Sequence, residues 1–187
     1  MRPCPFGVFQ SPLTASIATC AKHFAGYGAA ESGRDYATTN IPENELRNVY
    51  LPPFRSAVDA GVSSVMTSFS DLDGVPASAN EFLITDILRG EWGFRGFVVS
   101  DWDSIRQLAV HGLTGGDRES AFAAASAGVD MEMAGTAYRD HLVRLVEDED
   151  IGLDVVEHAV RRREVGRARR VHRVRPHAEV VDQQAVL

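Results

Sequence analysis

Cysteine is scarce in this sequence: Cys4 and Cys20 are the whole supply, which excludes a disulfide-built fold and a zinc site made of thiolates. Lysine is scarcer, with Lys22 alone beside 18 arginines. No apolar run approaches the ~20 residues needed to span a bilayer, so no membrane partner is expected. Low-complexity tracts are missing too, and 44% hydrophobic with 24% charged residues is the composition of a folding domain. The 187 residues suit one domain but fall short of the ~250 that a closed (β/α)8 barrel normally takes.

Acidic residues dominate the first 160 positions, 23 against 11 basic ones, which argues against a nucleic-acid surface there. Residues 161–187 reverse the balance, with eight arginines against three acids. That tail reads as a solvated helix end, and no nucleic-acid partner is expected. Near the N-terminus Arg2, Pro3, Pro5 and Pro12 break up any export-signal core, so a cytoplasmic location is the expectation for the chain as expressed. Cys20 lies among apolar residues and is expected to be a buried free thiol.

Four β-like runs, at 17–24, 64–69, 96–100 and 128–133, are each followed by a helix-like stretch. Spacings of ~30–45 residues are those of βαβ units, so the strands are expected to be parallel. The runs are nearly all apolar, as strands covered by helices must be. Helices are expected over 42–60, interrupted at Pro52-Pro53; over 78–89, capped by Ser78; and over 103–110, 117–127, 138–147 and 153–170. The fold class is α/β, with four βα units and parallel strands.

In such folds the chemistry sits at the C-terminal ends of the strands. Here those ends read Lys22-His23-Phe24, Met66-Thr67-Ser68-Phe69, Ser100-Asp101-Trp102 and Met131-Glu132-Met133. Asp101, directly after an apolar strand, suits a nucleophile, a general base, a metal ligand or the N-cap of a helix near Asp103. Lys22 and His23 are two potential cations that can grip hydroxyls or a carboxylate; the alternative is a surface lysine beside a satisfied histidine. A lone lysine in an arginine-rich chain favours function, because an ammonium and a guanidinium are not interchangeable. Gly26, Gly28 and Gly33 lack phosphate-loop spacing. Asp71-Leu72-Asp73-Gly74 echoes a calcium loop, but Phe82 stands where the bidentate glutamate belongs. No metal and no cofactor are expected.

These segments also carry a resemblance. Ala21-Lys22-His23-Phe24-Ala25-Gly26-Tyr27-Gly28, then Asp73-Gly74-Val75-Pro76-Ala77, Trp92-Gly93-Phe94-Arg95-Gly96-Phe97-Val98-Val99-Ser100-Asp101-Trp102 and Gly128-Val129-Asp130-Met131-Glu132-Met133 occur in this order. They resemble the motifs of glycoside hydrolase family 3, especially its bacterial β-glucosidases and β-xylosidases. The resemblance covers 18–160 and implies half of a TIM (β/α)8 barrel, its second half. It implies a retaining mechanism in which Asp101 attacks the anomeric carbon and forms a glycosyl-enzyme ester. By the same resemblance Lys22, His23 and Arg34 hold sugar hydroxyls and Trp102 stacks on the apolar face of the ring. Met66 and Phe69 complete the substrate-binding set, Phe69 standing where many members have a tyrosine.

The expected activity is hydrolysis of β-D-glucosides, with a β-glucoside or related small saccharide as the partner. The alternative is a catalytically silent fragment that folds or assembles without turnover. The family's usual acid/base glutamate belongs to a further domain, leaving Glu31, Asp35, Asp71, Asp73, Asp103 and Glu132 as local candidates. The expected layout is an atypical segment at 1–17, the half barrel at 18–160 and an Arg-rich tail at 161–187, from a longer or frame-shifted gene. A half barrel has two unpaired sheet edges, so a homodimer or higher homo-oligomer is expected to close it and bury Val65, Val98 and Val99.

Overall fold

The computed structural model describes residues 18–171, with side chains as far as Arg163. The expected segment 1–17, with Cys4, and the tail past residue 171 lie outside the described residues. Strand β1 (Cys20–Phe24) is followed by α1 (Glu43–Glu45), a π-helical turn (Leu46–Tyr50) and α2 (Pro52–Asp59). The interruption expected at Pro52-Pro53 is present, because proline fits the first helical positions, where an amide donor is not needed. Strand β2 (Ser64–Thr67) leads through a small hairpin of β3 (Asp71–Leu72) and β4 (Val75–Pro76) into the π-helical segment Phe82–Glu91. Then come β5 (Phe97–Trp102), α3 (Gln107–Val110), α4 (Asp117–Ala127), β6 (Met131–Met133), α5 (Ala137–Glu147) and α6 (Leu153–Val171). Among the described residues no helix is long and apolar enough to cross a membrane.

The four long strands form one sheet in the order β1-β2-β5-β6, and every pairing is parallel, as the spacing of the apolar runs predicts. One face carries the core. Val65 and Val98, paired in register, are fully buried in a cluster with Leu83, Ile84, Ile87 and Leu88 of the π-helical segment and Ala121 and Ala124 of α4. Met66 and Val99, the next register pair, are buried outside that cluster, as the alternation of a strand requires. This corrects the expectation that closure by a second copy buries Val65, Val98 and Val99: Val65 and Val98 are already buried on the helix-covered side. Cys20, at the free edge of β1, is exposed rather than buried, since no strand is paired beyond it in the described sheet.

Asp130 ties the layers together. Its side chain is 1% exposed; Oδ2 accepts from Arg89 Nη2 at 2.6 Å and from the Val98 amide at 2.8 Å, and Oδ1 accepts from Arg162 Nη1 at 2.7 Å. Arg89 also donates to the carbonyls of Gly96 and Gly128. One carboxylate thus joins β5, the approach to β6, the π-helical segment and α6.

Gly96, at the entry to β5, has no room for a side chain: a β-carbon there would collide with the Ser63 carbonyl oxygen and the Phe94 ring. Because one of those atoms is backbone, Gly96→Ala is expected to cost about 1–3 kcal/mol, the range for overpacking. A urea-unfolding midpoint equal to that of the parent chain would refute this.

Candidate active site

The strand register brings the chemistry to one edge. Phe24 pairs with Thr67 and Trp102 with Met133, so the C-terminal ends of the four strands line up. Phe24 anchors the first of them: it is buried edge-on against Phe54 and Trp92, at ring-centroid distances of 5.1 and 5.9 Å. With Phe24 held in the core, the preceding His23 turns toward the end of β5.

Asp101 stands at that end, 7% exposed. Its Oδ1 accepts from the Trp102 amide at 2.7 Å, while Oδ2 lies 3.2 Å from His23 Nε2. Oδ2 is shielded from solvent and accepts no aligned hydrogen bond, the His23 ring nitrogen being the polar group beside it. Asp101 does not cap a helix. Its carbonyl accepts from the Ser104 amide in a tight turn, Asp103 has a left-handed φ of 54°, and α3 starts only at Gln107. Buried hydroxyls brace the turn. Ser100 Oγ accepts from the Met133 amide and donates to the Asp101 carbonyl, both at 2.9 Å. Thr67, Ser78 and Ser104 form a chain of hydroxyls spaced at 2.8 Å. Ser78 therefore serves this network and not the helix cap expected of it; Asn80 Oδ1 takes the cap, accepting from the Leu83 amide at 3.0 Å.

Burial lowers the His23 pKa, with Asp101 acting in the opposite direction and Lys22 reinforcing the shift. The folded chain therefore resists protonation of His23 after the unfolded chain has accepted it. Stability is expected to fall as pH drops below about 6.5, the ordinary histidine value, and to fall less steeply in His23→Asn. Urea midpoints measured from about pH 7.5 to about pH 5.5 check this; identical slopes in both proteins would exclude it.

The other sequence-derived positions divide. Lys22 is exposed beside His23 on β1. Trp102 is 65% exposed and free to offer its face. Met66 is buried in register with Val99, two residues before Asp101. Phe69 stacks on Tyr36 at a centroid distance of 4.6 Å. Arg34 is exposed at the end of the 3-10 turn Glu31–Gly33, and among the described residues no hydrogen bond or ion pair joins it to Asp101 or His23. Two residues near the site were not singled out from sequence, Tyr27 and Tyr36, and Asp35 was named there only as an acid candidate. Tyr27 packs on His23 at a centroid distance of 4.6 Å and donates to Asp35. Their proximity to Lys22-His23 and Arg34 was the available signal.

The acid candidates are mostly engaged. Both oxygens of Glu132 accept from the first amides of α5, those of Ala137 at 3.1 Å and Tyr138 at 2.8 Å, and burial pushes its carboxyl pKa up. Asp71 accepts from Thr38 and the Gly74 amide, Asp73 from the Ile41 amide, Glu31 from Asn40, and Asp35 from Tyr27. Asp71 and Asp73 thus tie the β3–β4 hairpin to the 38–41 segment, and Asp71 also braces the hairpin's own turn. Among the described residues Asp103 is the candidate whose carboxylate makes no hydrogen bond.

Comparison with known proteins puts this edge in context. The periplasmic β-glucosidase of Salmonella typhimurium is 38% identical over 146 residues, 78% of this chain and 19% of that protein. A β-xylosidase of Formosa agariphila is 45% identical over 119 residues, 63% of this chain and 16% of that protein. The crystal structure of a β-glucosidase from Listeria innocua in complex with glucose superposes with a TM-score of 0.78 at 39% identity, over 84% of this chain and 22% of the other. The chain therefore spans about a fifth of the length of these relatives. The four parallel βα units correspond to half of a TIM barrel. Since the model of the glycosyl hydrolase family 3 N-terminal domain matches residues 8–164, the chain belongs to glycosyl hydrolase family 3.

Proposed function

We propose that this chain is a retaining β-glycosidase acting on β-D-glucosides, with residues 18–160 as the catalytic unit and Asp101 as the nucleophile. The observation that carries this reading is the Asp101 carboxylate itself, with one oxygen held by the Trp102 amide and the other beside His23 Nε2, without an aligned hydrogen bond, at the shared strand edge. In this mechanism Oδ2 attacks the anomeric carbon as the bond to the leaving oxygen breaks, giving a glycosyl ester. Water then hydrolyses that ester. Lys22, His23 and Arg34 hold the sugar hydroxyls, Trp102 stacks on the ring, and Met66 and Phe69 shape the wall. The relatives named β-glucosidase and the glucose complex of the Listeria innocua enzyme support the sugar class.

A retaining site needs an acid ~5–5.5 Å from the nucleophile. Most local carboxylates are spent on loops and caps, so the reading favours substrates whose leaving group needs no proton. Activated aryl β-glucosides are expected to be turned over far faster than cellobiose. The same engagement of the acids favours a second reading: a chain that binds sugar without turnover. Two copies pairing β1 of one with β6 of the other would give the closed assembly.

Incubation with 2,4-dinitrophenyl 2-deoxy-2-fluoro-β-glucoside separates the two readings. The first expects one fluoroglucosyl group added per chain, on the peptide holding Asp101, with release of dinitrophenolate. Glucose binding by calorimetry with no label would establish the second.

A further inference from the structure

We propose that Asp35, acting through Tyr27, is the positioning residue that holds His23 at the Asp101 carboxylate. Four groups make a continuous line. His23 Nε2 is 3.2 Å from Asp101 Oδ2, the His23 ring lies against the Tyr27 ring at 4.6 Å and 40°, and the Tyr27 hydroxyl donates to Asp35 Oδ1. The imidazole is thus confined between a carboxylate and an aromatic ring whose outer end is fastened.

The fastening is built by the loop. Gly26 has a φ of 82°, and a β-carbon there would sit 2.8 Å from Ile41 Cδ1, so glycine lets the chain turn sharply after Phe24. Two 3-10 turns, Tyr27–Ala29 and Glu31–Gly33, then double it back. The Glu31 amide donates to the Thr38 carbonyl at 3.1 Å, the Ala37 amide to the Arg34 carbonyl at 3.1 Å, and Asn40 Nδ2 to Glu31 at 3.2 Å. Together these bring Asp35 back to the hydroxyl of Tyr27, eight residues earlier. Asp35 is exposed, so its bond to Tyr27 competes with water and adds little to stability. Its effect falls on the ring it orients, and through that ring on the histidine.

A ring without this fastening lets the imidazole swing, and a displacement of ~1 Å in a reacting assembly costs up to about a hundredfold. Tyr27→Phe keeps the ring but cuts the bond; Asp35→Ala cuts the same bond from the other side. Asp35→Asn keeps an oxygen that accepts from Tyr27. The charged and titratable groups facing His23 are Asp101, Lys22, Asp35 and Tyr27, so the asparagine variant also separates the loss of charge from the loss of the bond.

The test uses the 187-residue chain labelled with nitrogen-15, with the imidazole resonances of His23 assigned by their loss in His23→Asn. Tyr27→Phe and Asp35→Ala are expected to shift these resonances in the same way, the double variant to add nothing, and Asp35→Asn to stay near the parent. The kinetic arm rests on the glycosidase reading: labelling of Asp101 by the fluoroglucoside is expected to slow about tenfold in each single variant, no further in the double, and to recover in Asp35→Asn. His23 resonances unchanged in Tyr27→Phe, or effects of the two single variants that add in full, would overturn the proposal. If the parent chain is never labelled, the glycosidase reading fails, and the His23 resonances still decide the positioning. If Asp35→Ala does not fold, Tyr27→Phe decides alone.

Discussion

Asp101→Ala is expected to lower hydrolysis of an activated aryl β-glucoside by about 10⁴-fold or more, to the background of the solution reaction. On the proposed glycosidase reading Asp101 is the nucleophile, so its removal takes away the first step itself, and the surrounding groups act with it as a unit. His23, 3.2 Å away, has no carboxylate left to meet, and the Trp102 amide loses its acceptor. Neither change supplies another atom able to form the glycosyl ester. The measurement is the rate of dinitrophenolate release under single-turnover and steady-state conditions. An Asp101→Ala protein that releases it at the parent rate would remove Asp101 from the mechanism.

The largest effect on stability is expected at Asp130. Asp130→Ala strips the carboxylate from Arg89, whose side chain is 14% exposed and whose Nε already has no partner, and leaves the buried Val98 amide without its acceptor. Burial lowers the pKa of Arg89, and Asp130 works against that shift by holding the guanidinium charged. Breaking one side of a buried pair costs about 3–5 kcal/mol, a large share of the ~5–15 kcal/mol that holds a domain together. Asp130→Asn keeps an acceptor for the Val98 amide but not the charge, and should fall between. Urea unfolding of the three proteins gives the order directly; a loss below about 1 kcal/mol in Asp130→Ala would contradict it.

The strands were legible because parallel strands under helices are almost uninterrupted apolar runs. Val65, Val98 and Val99 announced β2 and β5 without any contact being known. The position of Asp101 was legible for a related reason: a carboxylate at the end of such a run stands at the C-terminal edge of the sheet. What escaped notice depends on contacts distant in sequence or on competition between equal donors. Ser78 and Asn80 are both good caps, and only the buried hydroxyls of Thr67 and Ser104 draw Ser78 away. The Asp130 knot needs Arg89 and Arg162, 41 and 32 residues away, to arrive at the same place. Tyr27 and Asp35 looked like two loop residues until the 3-10 turns folded one back onto the other. Cys20 was misjudged because its apolar neighbours suggested an interior strand, whereas β1 is the free edge of the described sheet.

The exposed position of Lys22 makes the site chemically addressable. Because it is the one side-chain amine among these 187 residues, a reductively methylating reagent applied to this chain has two amine targets, Lys22 and the α-amine of the chain. The second reacts selectively at lower pH, since an α-amine deprotonates well before a lysine. Blocking the terminus first leaves a handle one residue from His23: reductive methylation keeps the Lys22 charge and adds methyl groups that report on that edge, while acylation removes the charge and tests the contact proposed for it. The scarcity of lysine thus lets this edge of the sheet be marked without any substitution.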